Sequence, residues 1–465
     1  MADIENIQAL VVRSPVKPFI SVLLFKLGDA DAARQFLRGY APKVPRGAAA
    51  DIAGEAEYHL LFSWNGLAKL LRGHPTLDVE QGRRALEVFF TDSTQAPGSP
   101  AMAQQLGFVG GSAPAGWWDG RFPSESIDLA VYACFDADQK AQALTELREA
   151  AARCGLQELK LQSFANGALE GVRPRDGRLH FGYRDGITTP DVDWSDGGRP
   201  GSVDLREILL GYPNSDYPTS PQRPGPWQDF ARDGSHVALA WIHQDVATFN
   251  KFLADESAKA PPSVPHELAQ EWVAAKMLGR WRDGSPLAKF PDAPPAPPKL
   301  DNDFGYADDP SGMKCPITSH IRVGNGRDQP LKFANQVRFP RGTPRLIRRG
   351  FSYGPALAGT ADDGLDRGLV GLFCFARVNE QFYTVMRWLQ KTDFSDAFKT
   401  IPNGLNAQDG LFGNRAFPGA NAEYRVPLAN GSAVNFQLKD FIRYKGVAVF
   451  LAPSMKALSV LSADF

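Results

Sequence analysis

The feature that most constrains this sequence is a recurring pair: a short apolar run rich in β-branched and aromatic residues, followed by a segment with helical spacing. Phe19 to Phe25 reads as a strand and Asp29 to Tyr40 as the helix after it. Glu57 to Trp64 repeats the strand signal, with Asn65 placed to cap a helix through Leu71. Ile127 to Phe135 and Asp136 to Ala152 form another strand and helix, and Leu156 to Ser163 supplies a closing strand. The pattern returns in His236 to Ile242 with Asp245 to Asp255, Gly368 to Phe375 with Asn379 to Leu389, and Val447 to Leu451 with Ser454 to Leu461. Strands alternating with helices across irregular spacers predict an α+β layer of the ferredoxin-like kind, a sheet covered on one side by helices. Two such halves are expected, 1–200 and 201–465, since a chain of 465 residues exceeds the span of one core.

Composition narrows the partners. The 51 basic residues balance 52 acidic ones, which gives no net field for a polyanion, so nucleic acid is not expected. Cys134, Cys154, Cys315 and Cys374 are too few for a disulfide scaffold and lack metal-type CxxC spacing; they read as reduced and buried. Met1 to Gln8 lacks the basic-then-apolar order of a secretory signal, and no run of 18 apolar residues follows. No membrane association is expected, and the expected location is cytoplasmic.

Three segments carry chemistry. In Phe181-Gly-Tyr-Arg-Asp185-Gly-Ile187, glycines flank an aspartate; this suits a tight turn, or backbone brought close to a planar ligand. Cys315-Pro-Ile-Thr-Ser-His320-Ile-Arg322-Val-Gly-Asn325-Gly-Arg327 presents an imidazole with a guanidinium two positions on. A neutral imidazole is either a core histidine bonded to a carbonyl or an axial ligand for haem iron, and an arginine on the same face can pair with a propionate. Arg345-Leu-Ile-Arg348-Arg349-Gly350 ends an apolar stretch in arginines, which by itself also describes a solvated strand end. The seven histidines contain no HExxH pair, and His180 and His243 read as ordinary polar side chains.

Taken together and in this order, the three segments resemble the dye-decolorising peroxidase family. Gly182 to Gly186 matches its GxxDG motif, Cys315 to Asn325 its proximal-histidine motif, and Leu346 to Gly350 its distal-arginine turn. Leu209 to Asn214, Asp301 to Asp308 and Arg367 to Phe375 also look like passages of the longer bacterial members. Two departures stand out: Asn325-Gly326-Arg327 where the family usually has Asn-Pro-Arg, and Ser319 where alanine is common.

The resemblance implies two ferredoxin-like halves with antiparallel sheets covered by helices, barrel-like as in dimeric α/β-barrels, with haem held mainly by the second half. It implies one haem b per chain, with His320 as the axial iron ligand. Asp185 is the implied distal acid and base, and Arg348 the electrostatic stabiliser. Arg322, Asn325 and Arg349 are the expected propionate partners, and Leu372 is expected to line the distal cavity. The implied substrates are hydrogen peroxide and an organic reductant such as a dye or phenol; a homo-oligomer is left open. A haem-binding or haem-transfer protein without turnover, and an interaction module that lacks cofactor, are the competing readings.

Overall fold

The computed structural model describes residues 1–48, 55–173, 177–329, 343–391 and 408–465, together with the backbone of 332, 333, 336 and 337. In the first half, β1 (Phe19–Lys26) runs into α1 (Ala30–Tyr40), whose N-cap Asp29 accepts from the backbone N–H groups of Asp31 and Ala32. Then come β2 (Glu57–Phe62), β3 (Leu129–Phe135), α2 (Lys140–Arg153) and β4 (Leu169–Val172). These strands lie side by side in the order β4-β1-β3-β2, all antiparallel.

The second half repeats the plan. β5 (Ser235–Gln244) leads into α3 (Val246–Ser257), capped by Asp245. A long insertion follows, carrying α4 (Ala269–Leu278) and α5 (His320–Gly324), before β6 (Phe351–Tyr353) and β7 (Gly368–Phe375). A π-helical turn, Val378–Tyr383, continues into α6 (Thr384–Gln390), and β8 (Ile442–Ala452) ends the set, with α7 (Met455–Ser462) behind it. The order here is β8-β5-β7-β6. Numbered within its own half, each set therefore reads fourth, first, third, second.

The halves share one sheet. β2 pairs with β8 at Phe62 and Leu451, and β4 pairs with β6 at Val172 and Ser352. Eight of the sheet's ten strands thus close into a ring; the other two are the two-residue additions Gln157–Glu158 and Ile347–Arg348. Closure leaves each strand one face toward the helices and one toward the barrel interior. Glu170 of β4 pairs with Lys140 of α2 on the outer face. Across the sheet, Val22, Tyr132 and His59 share the inner face. From there the Tyr132 hydroxyl donates to the Arg349 carbonyl, joining the two halves. The expected sheet covered on one side is thus observed, with its uncovered face buried by the other half.

Three local expectations change. The strand that closes the first half is Leu169–Val172 rather than Leu156 to Ser163. After the two-residue pairing of Gln157–Glu158, the Leu161 N–H bonds to the Gly167 carbonyl and folds the chain into a turn. Helix Trp64–Leu70 is capped by Ser63, which accepts from the Gly66 N–H, while the Asn65 amide donates to the Glu125 carbonyl. Phe351–Tyr353, absent from the strands expected from the sequence, is the strand that bridges β7 to β4.

Two buried histidines couple this packing to pH. His59 is fully buried with neither ring nitrogen partnered among the described residues, and burial pushes its pKa down to about 3. His236 donates from Nδ1 to the Ala376 carbonyl and is pushed down to about 4, again by burial. Both are neutral in the fold, whereas histidine in the unfolded chain protonates near 6.5. The unfolded state therefore takes up protons first: this contribution is complete above about pH 6.5 and is lost as pH falls below it, by about 1.4 kcal/mol per pH unit for each histidine. Denaturant unfolding between about pH 7 and 5 is expected to show that slope, with His59→Leu shallower by about one proton. An unchanged slope in His59→Leu would contradict this account.

Candidate active site

His320 opens α5 inside the insertion. The preceding turn is organised by buried Asp309, which accepts from the Lys314 and Cys315 N–H groups and from Arg322. The Cys315 thiol lies 3.1 Å from the Ser319 hydroxyl, so the serine at this position has a partner of its own. His320 Nδ1 stands 3.0 Å from Asp409 Oδ2; a carboxylate accepts, so Nδ1 carries the proton and Nε2 the lone pair. Asp409 is fully buried, and its Oδ1 accepts from the Leu411 and Phe412 N–H groups. The Phe412 ring stacks on the imidazole at 4.5 Å and 18°. Nothing in the sequence marks Asp409 as this acceptor: it lies 89 positions from the histidine, at the start of a glycine turn.

Asp185 stands on a loop seated by its aromatic neighbours. Phe181 packs on Phe249 of α3 at 4.4 Å, and the Tyr183 hydroxyl donates to the Ala274 carbonyl of α4. Gly182 and Gly186 both take positive φ, 84° and 78°, where a side chain would be strained. The Asp185 N–H then donates to the Gly177 carbonyl at 2.7 Å.

Arg348 reaches this loop, its Nη2 donating to Asp185 Oδ1 at 3.2 Å, with both side chains nearly half exposed. The Arg348 guanidinium holds the Asp185 carboxyl below the usual range; burial opposes that shift.

Strand alternation separates Arg348 from its neighbours. Arg348 pairs with Phe373 of β7, so those side chains and that of Gly371 share a face. Leu372 projects to the opposite face and is fully buried, so it does not line the Arg348 side as expected. Arg349 likewise turns away: it is buried, with Nε donating to the Leu10 carbonyl and Nη2 to the Val11 carbonyl.

Arg322 is wholly buried as well. It donates to Asp309, the Cys315 carbonyl and Gln329, and its guanidinium lies over Tyr306 at 4.5 Å. Arg322 and Arg349 both direct donors to the protein's own carbonyl and carboxylate groups, which anchors their segments in the fold. Asn325 ends α5 and accepts from the Arg327 N–H.

Two links bring the His320 and Asp185 segments into one region. Leu346, two residues before Arg348, packs with Phe412 on the cluster of Ile317, Val323, Val385, Trp388 and Leu389. Asn302 binds both Arg327, just beyond α5, and the Ile187 carbonyl, two residues after Asp185. Arg327 and half-buried Arg345 also belong to this region; burial and then the Arg327 charge lower the pKa of Arg345.

No family model matches the chain. Among curated proteins it is 28% identical over 316 residues to Peroxidase 2 of Mycetinis scorodonius, covering 62% of this chain and 57% of the relative. It is 26% identical over 346 residues to the multifunctional dye peroxidase of an Amycolatopsis species, covering 70% and 66%. The chain thus spans less than two thirds of the length of these relatives.

Three solved structures extend the likeness over the whole chain. An ancestral D-type dye-decolorising peroxidase has a TM-score of 0.77 at 24% identity over 99% of both chains. A fungal DyP-type peroxidase from Auricularia auricula-judae has 0.77 at 21%, and a dye-decolorising peroxidase in complex with 2,6-dimethoxyphenol has 0.75 at 23%, both over 100% of the two chains. The structure is a closed α+β barrel whose two halves share one strand order, with His320 on the insertion of the second half and the Asp185–Arg348 pair at the adjoining loop. In sequence over part of its length, and in fold over all of it, the chain is similar to dye-decolorising peroxidases. Among the described residues no helix is long and apolar enough to cross a membrane.

The different roles of the arginines can be measured by unfolding. Arg322→Met strands buried Asp309 and is expected to cost about 3–5 kcal/mol. Arg348→Leu breaks a half-exposed pair and is expected to stay within about 1 kcal/mol. Equal losses in the two variants would refute the distinction.

Proposed function

We propose that this chain is a haem-dependent peroxidase that reduces hydrogen peroxide and oxidises dyes, phenols or similar organic reductants. The observation that carries the proposal is the association, in one region, of an imidazole oriented by Asp409 with the Asp185–Arg348 pair. The named relatives and the phenol complex of a similar structure support it.

The residues present fit a haem. His320 Nε2 has no partner among the described residues, so its lone pair can serve an iron, and Phe412 holds the ring in place. Arg327 and Arg345, in place of Arg322 and Arg349, would meet the carboxylates of the group. Bound there, one haem b would supply an iron centre that takes oxidising equivalents from peroxide and passes them to the reductant.

The chain's own groups do the proton work. An Asp185 carboxylate oxygen accepts the proton of the incoming peroxide and returns it to the departing oxygen. Arg348 keeps that carboxylate ionised and donates hydrogen bonds where negative charge develops. Asp409 fixes the Nδ1–H of His320 and so increases the donor strength of Nε2. We further propose that 1–200 and 201–465 are two ferredoxin-like domains, the first carrying Asp185 and the second His320 and Arg348. A cytoplasmic location is part of the same reading, which the small number of cysteines, all four buried, suits.

Adding haemin to the purified chain is expected to give a Soret band that His320→Ala loses; no band in the parent protein would sink the haem assignment. Peroxide-driven dye oxidation should fall by about 10²–10⁴-fold in Asp185→Asn. A Soret band with no turnover would instead identify a haem-binding or haem-transfer protein. In Arg348→Leu, burial still raises the Asp185 pKa while the lowering charge is gone, so the acid limb of kcat/KM for peroxide should move to higher pH. A limb that stays in place would remove Asp185 as the base.

A further inference from the structure

We propose that Asn302 is a positioning residue that locks the Asp185 loop against the segment following the His320 helix, an inference that rests on the peroxidase reading above. The Asn302 amide uses both its polar atoms. Nδ2 donates to the Ile187 carbonyl at 2.5 Å, while Oδ1 accepts from the Thr188 hydroxyl at 3.1 Å and from Arg280 Nη2 at 2.6 Å. Its backbone carbonyl accepts from Arg327 Nη1 at 2.7 Å. One residue therefore joins the loop two positions beyond Asp185 to the arginine seven positions beyond His320.

Asn302 is exposed, but the arginine that holds it is not. Arg280 is buried at the end of α4 and donates its other arm to the Gly284 carbonyl. Arg280 and Arg327 both face the ring of Phe304, at 5.3 and 3.7 Å. Ile187 closes onto the same turn: a Cβ on Gly284 would come within 2.6 Å of Ile187 Cδ1. On its other flank the loop is held by Asp185 N–H to Gly177 and Arg184 N–H to Arg282. The Asn302 contacts hold the C-terminal flank, so they set how far the Asp185 carboxylate can drift from Arg348.

An amide is required here because the position must donate to a carbonyl and accept from a guanidinium at once. Asn302→Asp keeps the acceptor for Arg280 and loses the donor to Ile187; Asn302→Ala loses both. In haem-loaded protein, both variants are expected to retain the parent Soret band while reacting with peroxide ten- to a hundredfold more slowly in stopped flow. In an Asp185→Asn background, Asn302→Asp should produce no further slowing, since it acts through that carboxylate. Hydrogen exchange across residues 183–188 should be faster in both variants, with or without haem.

A peroxide rate equal to the parent's, or a slowing that adds in full to that of Asp185→Asn, overturns the proposal. If the parent chain takes up no haem, the peroxidase reading fails on its own account. Exchange in the haem-free variants then decides this inference, and unchanged protection of the loop overturns it.

Discussion

Closure of the sheet is the constraint on which the rest depends. An open four-stranded layer covered by helices on one side leaves its other face in water. Here each half supplies the cover for the other, through the β2–β8 and β4–β6 pairings. A ring has no free edge, so each strand is held in register from both sides and the pleat assigns every residue to one of two faces. That assignment sends the guanidinium of Arg348 toward Asp185 and that of the next residue, Arg349, to the carbonyls of Leu10 and Val11. A shift of one residue would exchange the partners of the two arginines.

The second half departs from the first in the length of chain between its first helix and second strand. That insertion carries α4 and the His320 helix, and it is stabilised by buried charge rather than by sheet. Arg322 and Asp309 are almost wholly removed from water, which is tolerable only because their remaining donors and acceptors are met by Cys315, Gln329 and backbone groups. The imidazole beside them inherits this rigidity. Asp409, itself held by two backbone N–H groups, adds the orientation that a short helix alone does not impose.

Much of this architecture was legible in the chain. The apolar runs at Phe19, Ile127, His236 and Gly368 are strands, and Asp29, Asp245 and Ser454 are the helix caps that their positions suggest. The strands that escaped notice, Leu169–Val172 and Phe351–Tyr353, are four and three residues long and flanked by glycine or arginine. They are strands because partners lie on both sides of them. Asn65 looked like a cap by composition, but Ser63 has the extended backbone a cap needs.

By itself, the sequence determined the duplicated strand and helix pattern and singled out His320, Asp185 and Arg348, because periodicity and short motifs are local properties. It could not determine which arginine reaches Asp185, which carboxylate bonds the histidine, or which strand residue shares a face with Arg348. Burial and register give Arg322, Arg349 and Leu372 surroundings apart from the Asp185–Arg348 pair, while Asp409 and Asn302 carried no local mark. Those choices belong to the tertiary structure: a side chain's partner is set by the face it occupies and by contacts 89 or 115 positions away in the chain.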